Sequence, residues 1–187
     1  MALQSSGNIS LGDVNVELGL SRTTQISLGQ TNVRDVFIVA SGAIRLAADG
    51  YGKTRAFVFE PTISVNTANY NIKAAAITAG WDQIRPLKAT VTVNAGVYVY
   101  STSTGAYAFD TGATFPAETT LALINNGTII GMGGAGSAGD YYNYPTAWVY
   151  GSAAVGGPAL IAQYALTVTN NGVIGGGGGG GGSGGSP

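Results

Sequence analysis

Four acidic side chains occupy the middle and end of the chain: Asp82, Asp110, Glu118 and Asp140. In glycoside hydrolysis, carboxylates work in pairs, one as acid and the other as base or nucleophile. No two of these four lie closer than eight residues in sequence, so local spacing does not assemble a pair. The chain has no His and no Cys. That removes the Ser-His-Asp arrangement, zinc sites built on imidazole or thiolate, and disulfides. "GMGGAGSAG" (Gly131–Gly139) is no phosphate loop, since the GxxxxGK[ST] pattern is absent and no Lys follows it. Asp13 and Asp49 do not recur at calcium-loop spacing. These residues point to a protein that is not an enzyme and carries no metal or cofactor.

The densest aromatic group is "GDYYNYPTAWVYG" (Gly139–Gly151), with Tyr141, Tyr142, Tyr144, Trp148 and Tyr150. It lies between two glycine-rich stretches. Aromatic residues with polar tips on a loop suit contact with sugars or proteins. The same residues could instead cap a β core or fill an axis between subunits.

The chain has 187 residues and is 45 % hydrophobic, enough for a core. It is only 9 % charged, against about 25 % in typical globular proteins. A surface so poor in charge fits burial in an assembly. All Lys and Arg lie at or before Lys88. The half that follows cannot neutralise phosphates, which argues against nucleic acid as a partner. No apolar stretch is long enough to span a membrane as a helix. The start "MALQSSGNIS" lacks the features of a secretion signal, so synthesis in the cytoplasm is expected.

What must position any contact residues is a set of repeats. "ISLGDVNVELG" (Ile9–Gly19) and "ISLGQTNVRDVF" (Ile26–Phe37) start 17 residues apart, and "IRLAADGYGK" (Ile44–Lys53) is a weaker echo. Ser10 with Asp13, and Ser27 with Gln30, have capping-box spacing. Leu11, Val14 and Leu18 recur at helical spacing, and Val33, Val36 and Phe37 do so in the second unit. Gly19 stands where a left-handed helix cap is expected. Each unit therefore predicts an extended lead-in followed by a helix of about two turns. Helices this short need a surface to pack on. Ile9, Leu11, Val14, Leu18, Ile26, Leu28, Val33, Val36 and Phe37 are the candidate attachment residues; the alternative is that they pack against the rest of the chain.

Further on, "TRAFVFEPTISV" reads as two short strands around Pro61. Ile72, Ala75, Ala76 and Ala79 predict a helix capped by Asn69 or Asn71 and stopped by Gly80. "ATVTVNAGVYVYSTS" (Ala89–Ser103) alternates like a hairpin with "NAG" as its turn. "TTLALINNGTIIGMGG" and "YALTVTNNGVIGGGGGG" repeat strand, Asn-Asn-Gly, strand and glycine run, with the triplets 45 residues apart. Such repetition suggests stacked coils or a small β-sandwich. Asn before Gly is read as a source of positive φ. Gly175–Gly182 could be an engineered spacer, a flexible linker or ordered structure. If ordered, the run would form extended threefold helices whose amides pair with neighbours, side by side or around a symmetry axis.

The N-terminal units resemble the opening segments of tail-associated structural proteins of bacteriophages. "YNIKAAAITAGWDQIRPLKATVTVNAGVYVYSTSTGAYAFDTG" followed by "FPAETTLALINNGTIIGMGGAG" resembles the glycine-rich domain of phage tail fibre and tail-tip proteins. The resemblance implies a structural protein of the virion tail, a homo-oligomer (a trimer above all), with other tail or baseplate proteins and a host surface receptor as partners. A head decoration fibre and a receptor-binding adhesin acting through residues 139–151 are the other readings. The expected fold is mainly β with short helices: an attachment segment over residues 1–53, a β-sandwich or stacked coils over 54–174, and a polyglycine-type tract over 175–187.

Overall fold

The computed structural model describes residues 3–37, 39, 42–46, 50–52, 55–137, 141–143, 147–149 and 151–182. The chain divides into two compact units. The first comprises Met1–Phe59, Ala79–Lys88 and Phe115–Thr120; the second comprises Glu60–Thr78, Ala89–Thr114 and Leu121–Pro187.

In the first unit, α1 (Leu11–Glu17) opens with the expected capping box. The Asp13 N–H donates to Ser10 Oγ at 3.2 Å and the Ser10 N–H donates to Asp13 Oδ2 at 2.8 Å. The helix ends at Gly19, with φ +74. There the Gly19 N–H donates to the Val16 carbonyl and the Leu20 N–H to the Asn15 carbonyl, the Schellman pattern. α2 (Thr31–Phe37) follows the second repeat. Its Gln30 side chain accepts from the Ser27 N–H at 3.2 Å. Leu3, Ile9, Val14, Val33, Val36 and Phe37 form a buried cluster, with Leu18, Ile26 and Leu28 packed against it. Asn15 ties α1 to the following loop by donating to the Arg22 and Thr24 carbonyls. β1 (Phe57–Phe59) lies in this unit. Trp81 stacks on Phe115 at 5.6 Å and donates its indole N–H to the Arg85 carbonyl.

The second unit is a three-sided stack of parallel strands. β2 (Thr62–Ile63), β3 (Thr67–Ala68) and β4 (Tyr70–Asn71) form coil 1. α3 (Ile72–Thr78) follows, with Asn71 Oδ1 accepting from the Ala74 N–H at 2.8 Å and Gly80 at φ +98 as its stop. β5 (Leu87–Val93), β6 (Tyr98–Tyr100) and β7 (Phe109–Asp110) form coil 2. β8 (Thr120–Asn125), β9 (Thr128–Ile130) and β12 (Leu160–Ile161) form coil 3. β13 (Leu166–Asn170) and β14 (Val173–Gly175) begin coil 4. One side of the stack contains β2, β5, β8 and β13; the second contains β3, β6, β9 and β14; the third contains β4, β7 and β12. Strands β10 (Tyr141–Asn143) and β11 (Ala147–Val149) pair only with each other.

Alternation explains the stack. Ala89, Val91 and Val93 of β5, Leu121 and Leu123 of β8, Val99 and Ile129 are buried, while their sequence neighbours face outward. Each fully buried Val, Leu or Ile side chain favours this state by about 1.5–3 kcal/mol.

Two expectations are corrected here. The hairpin over Ala89–Ser103 does not form: β5 and β6 belong to different sides, and "NAG" is the corner between them. Period-two alternation is the same for a strand that pairs with the next strand and for one that pairs with the next coil, so the pattern could not separate them. The second correction concerns Asn-Asn-Gly. Neither triplet holds a residue at positive φ. Gly127 and Gly172 are required by close approach instead. A Cβ on Gly172 would lie 2.0 Å from the Gly127 carbonyl oxygen, and one on Gly127 would lie 2.4 Å from that of Val97.

Candidate functional site

Where β9 and β14 end, the chain continues in extended form, and the glycine runs become structure. Three segments lie together: residues 131–137, 151–157 and 175–182. The N–H groups of Gly131, Gly134 and Ser137 donate to the carbonyls of Gly175, Gly178 and Gly181 at 3.0, 2.8 and 2.9 Å. Gly177 and Gly180 donate to Gly157 and Ala154, both at 2.8 Å. Ala154 and Gly157 donate to Ala135 and Met132 at 2.9 and 2.7 Å. The bonds close a triangle, the first segment donating to the third, the third to the second and the second to the first. Each segment bonds at every third residue, the period of an extended threefold helix without internal hydrogen bonds. The first and third segments run parallel and the second runs against them.

This packing dictates the composition. A Cβ on Gly134 would lie 2.0 Å from the Ala154 carbonyl oxygen, on Gly156 1.9 Å from that of Gly177, on Gly177 1.9 Å from that of Met132, and on Gly180 1.9 Å from that of Ala135. No side chain fits where backbones approach so closely. The third segment thus takes its hydrogen-bond partners from the same chain; residues 183–187 of the expected tract lie outside the described residues.

A two-stranded ribbon lies between the first and second segments in sequence. Residues 138–150 connect the first segment to the second. Within them β10 and β11 are antiparallel, pairing Tyr141 with Val149, Tyr142 with Trp148 and Asn143 with Ala147. Of the aromatic candidates, Tyr141 and Tyr142 therefore lie on one strand and Trp148 on the other; Tyr144 and Tyr150 lie outside the described residues. The glycine segments on either side of these residues in sequence are tied to each other by backbone hydrogen bonds at every third residue, and ordering a loop costs less when its ends are already fixed.

The attachment candidates lie differently. Ile9, Val14, Val33, Val36 and Phe37 are buried in the core of the first unit, and Leu18, Ile26 and Leu28 pack on that core. Leu11, at 39 % exposure, is the one most open to a partner among them. The capping pattern found the helices; the apolar residues within them hold the unit together.

Of the four carboxylates, Asp110 and Asp82 are engaged in hydrogen bonds, and Asp140 lies outside the described residues. Asp110 accepts from Asn71 Nδ2 at 3.0 Å, from Gln163 Nε2 at 2.9 and 3.1 Å and from the Gly112 N–H at 2.7 Å. This links coils 1, 2 and 3 down one side. The Asp82 carboxyl stays below its ordinary pKa: burial pushes it up, but hydrogen bonds from the Arg85 and Ile84 backbone and the Arg85 side chain outweigh that. Sequence reading missed the second glycine segment, "GSAAVGGP", which holds three glycines, only two of them adjacent. It also missed the Asn71–Asp110–Gln163 ladder, whose members are far apart in sequence. Among the described residues no helix is long and apolar enough to cross a membrane.

The family model described as phage tail fibre adhesin Gp38 matches residues 58–187. Neither the curated proteins nor the solved structures gave a match.

Proposed function

The chain belongs to the phage tail fibre adhesin Gp38 family, matched over residues 58–187, and on that premise we propose that it holds a host surface receptor through the loop closing its glycine bundle. The observation that carries this is the ribbon at Tyr141–Asn143 and Ala147–Val149, seated between two backbone-paired glycine segments. A paired ribbon bearing Tyr and Trp, joined in sequence to hydrogen-bonded segments, is an arrangement suited to a binding surface. Its role is recognition without catalysis: Asp82 and Asp110 are already engaged in hydrogen bonds.

The first unit is the proposed attachment module, joining the chain to other tail or baseplate proteins. Its partners would meet the outside of the helical core, since the apolar repeat residues are consumed within it. Packing around a symmetry axis, as in a homotrimer, was one of the two expected sources of partners for the glycine amides, packing side by side the other. One chain supplies three glycine segments by itself, so this reading needs no threefold symmetry.

The test is adsorption. Purified chain, added in excess to host cells, should slow phage adsorption, and a version with residues 141–149 replaced by Gly and Ser should not. Undiminished adsorption at saturating chain would reject the receptor role.

A further inference from the structure

Coil 4 repeats the pattern of coil 3 without its cover. Leu121, Leu123 and Ile129 of coil 3 are buried. Their register partners are Leu166, Val168 and Ile174. Leu166 and Ile174 are only half-buried, and Val168 is 42 % exposed where Leu123 is 0 %. β13 and β14 stand at the ends of their sheets, so no described strand lies beyond them.

The open edge has specific chemistry. The Asn171 N–H goes to the Asn125 carbonyl at 2.8 Å. In a parallel ladder, successive residues face opposite neighbours, which turns the amides of Val168 and Asn170 toward the open side. The side-chain ladder also stops there. Asn125 Nδ2 donates to Asn170 Oδ1 at 2.8 Å, while Asn170 Nδ2 has no partner among the described residues. No charged residue guards the stretch from Leu166 to Gly175, although edges of this kind are usually protected by charge or proline.

We propose that this edge takes up a further parallel strand–Asn–strand segment, a partner that repeats the chemistry of coils 3 and 4. The interface between those coils already shows the contacts, and the edge continues it. Apolar side chains would cover Val168 and Ile174. An Asn at the corner would accept from Asn170 Nδ2. A Gly two residues later would be needed, because Gly172 approaches Gly127 too closely for a Cβ. A ligand lacking a strand backbone would leave the amides of Val168 and Asn170 unmet.

The probe is a fluorescent peptide with the sequence of residues 120–131, TLALINNGTIIG, titrated against the full chain and followed by anisotropy and amide exchange. Saturable binding is expected, with slowed exchange at Val168 and Asn170. A peptide with Ala at its first Asn should bind about fivefold more weakly, the loss of roughly one hydrogen bond. Val168→Lys, at an exposed position, should weaken binding at least about tenfold. Equal binding of a scrambled peptide, no change on Val168→Lys, or no saturable binding would overturn the proposal. So would self-association of the chain that Val168→Lys abolishes and the peptide does not displace, which would assign the edge to a second copy instead.

Discussion

Asn125 and Asn170 stand 45 residues apart and occupy the same corner of successive coils, joined by a 2.8 Å bond from Nδ2 to Oδ1. Asn125 is fully buried, donates also to the Val173 carbonyl at 3.1 Å and accepts from the Gly127 N–H at 3.2 Å. Asn125→Ala leaves these buried groups unpaired and should destabilise the chain by about 2–3 kcal/mol. Asn170→Ala, at the exposed rung, should cost less, about 1 kcal/mol. Urea unfolding of the two variants measures the difference; equal losses would contradict the ladder.

The glycine bundle makes a position-by-position prediction. Gly177→Ala and Gly180→Ala each drive a methyl group to 1.9 Å from a carbonyl oxygen and should unravel the bundle. Gly178 and Gly181 face open space and are not at positive φ. Ala at either should be neutral or stabilising by about 0.4–1 kcal/mol, because it restricts the unfolded chain. Thermal melting of the four variants separates the pairs, and a disordered tract would show no distinction between them.

At the N-terminus, Ser10→Ala removes a helix cap and should cost about 1 kcal/mol. The Ser10 hydroxyl, then the Ser10 N–H, hold the Asp13 carboxyl at about 2 against its ordinary 3.8, with Arg22 adding to the effect. A depressed folded pKa gives a contribution that is complete above the unfolded value and fades as pH falls through the folded one. Protection of α1 amides should therefore decline between about pH 4 and pH 2. Asp13→Asn should flatten that decline; the same slope in the variant would exclude the capping carboxylate as its cause.

Much of this architecture was legible because it rests on local rules. Ser10 and Asp13 announced a helix start, Asn71 and Gly80 bracketed α3, and the 45-residue spacing of Asn-Asn-Gly is the length of one coil including its glycine excursion. Partner choice was not legible. "NAG" at Asn94–Gly96 looks like a hairpin turn, and only stacking on neighbouring coils makes it a corner. The glycine run likewise could not announce its partners, since a segment with no side chains carries no pattern. Those partners, residues 131–137 and 151–157, are fixed by backbone carbonyls. The aromatic loop was found by composition alone, and its paired strands set Tyr142 opposite Trp148.

The most direct test of the account is binding of the labelled chain to host cells, comparing it with the Tyr142→Ala, Trp148→Ala double variant. The account predicts saturable binding that competes with phage, at least about tenfold weaker in the double variant, as loss of two aromatic anchors implies, with its melting temperature unchanged. Full binding by a folded double variant would contradict the assignment of the loop as the receptor contact.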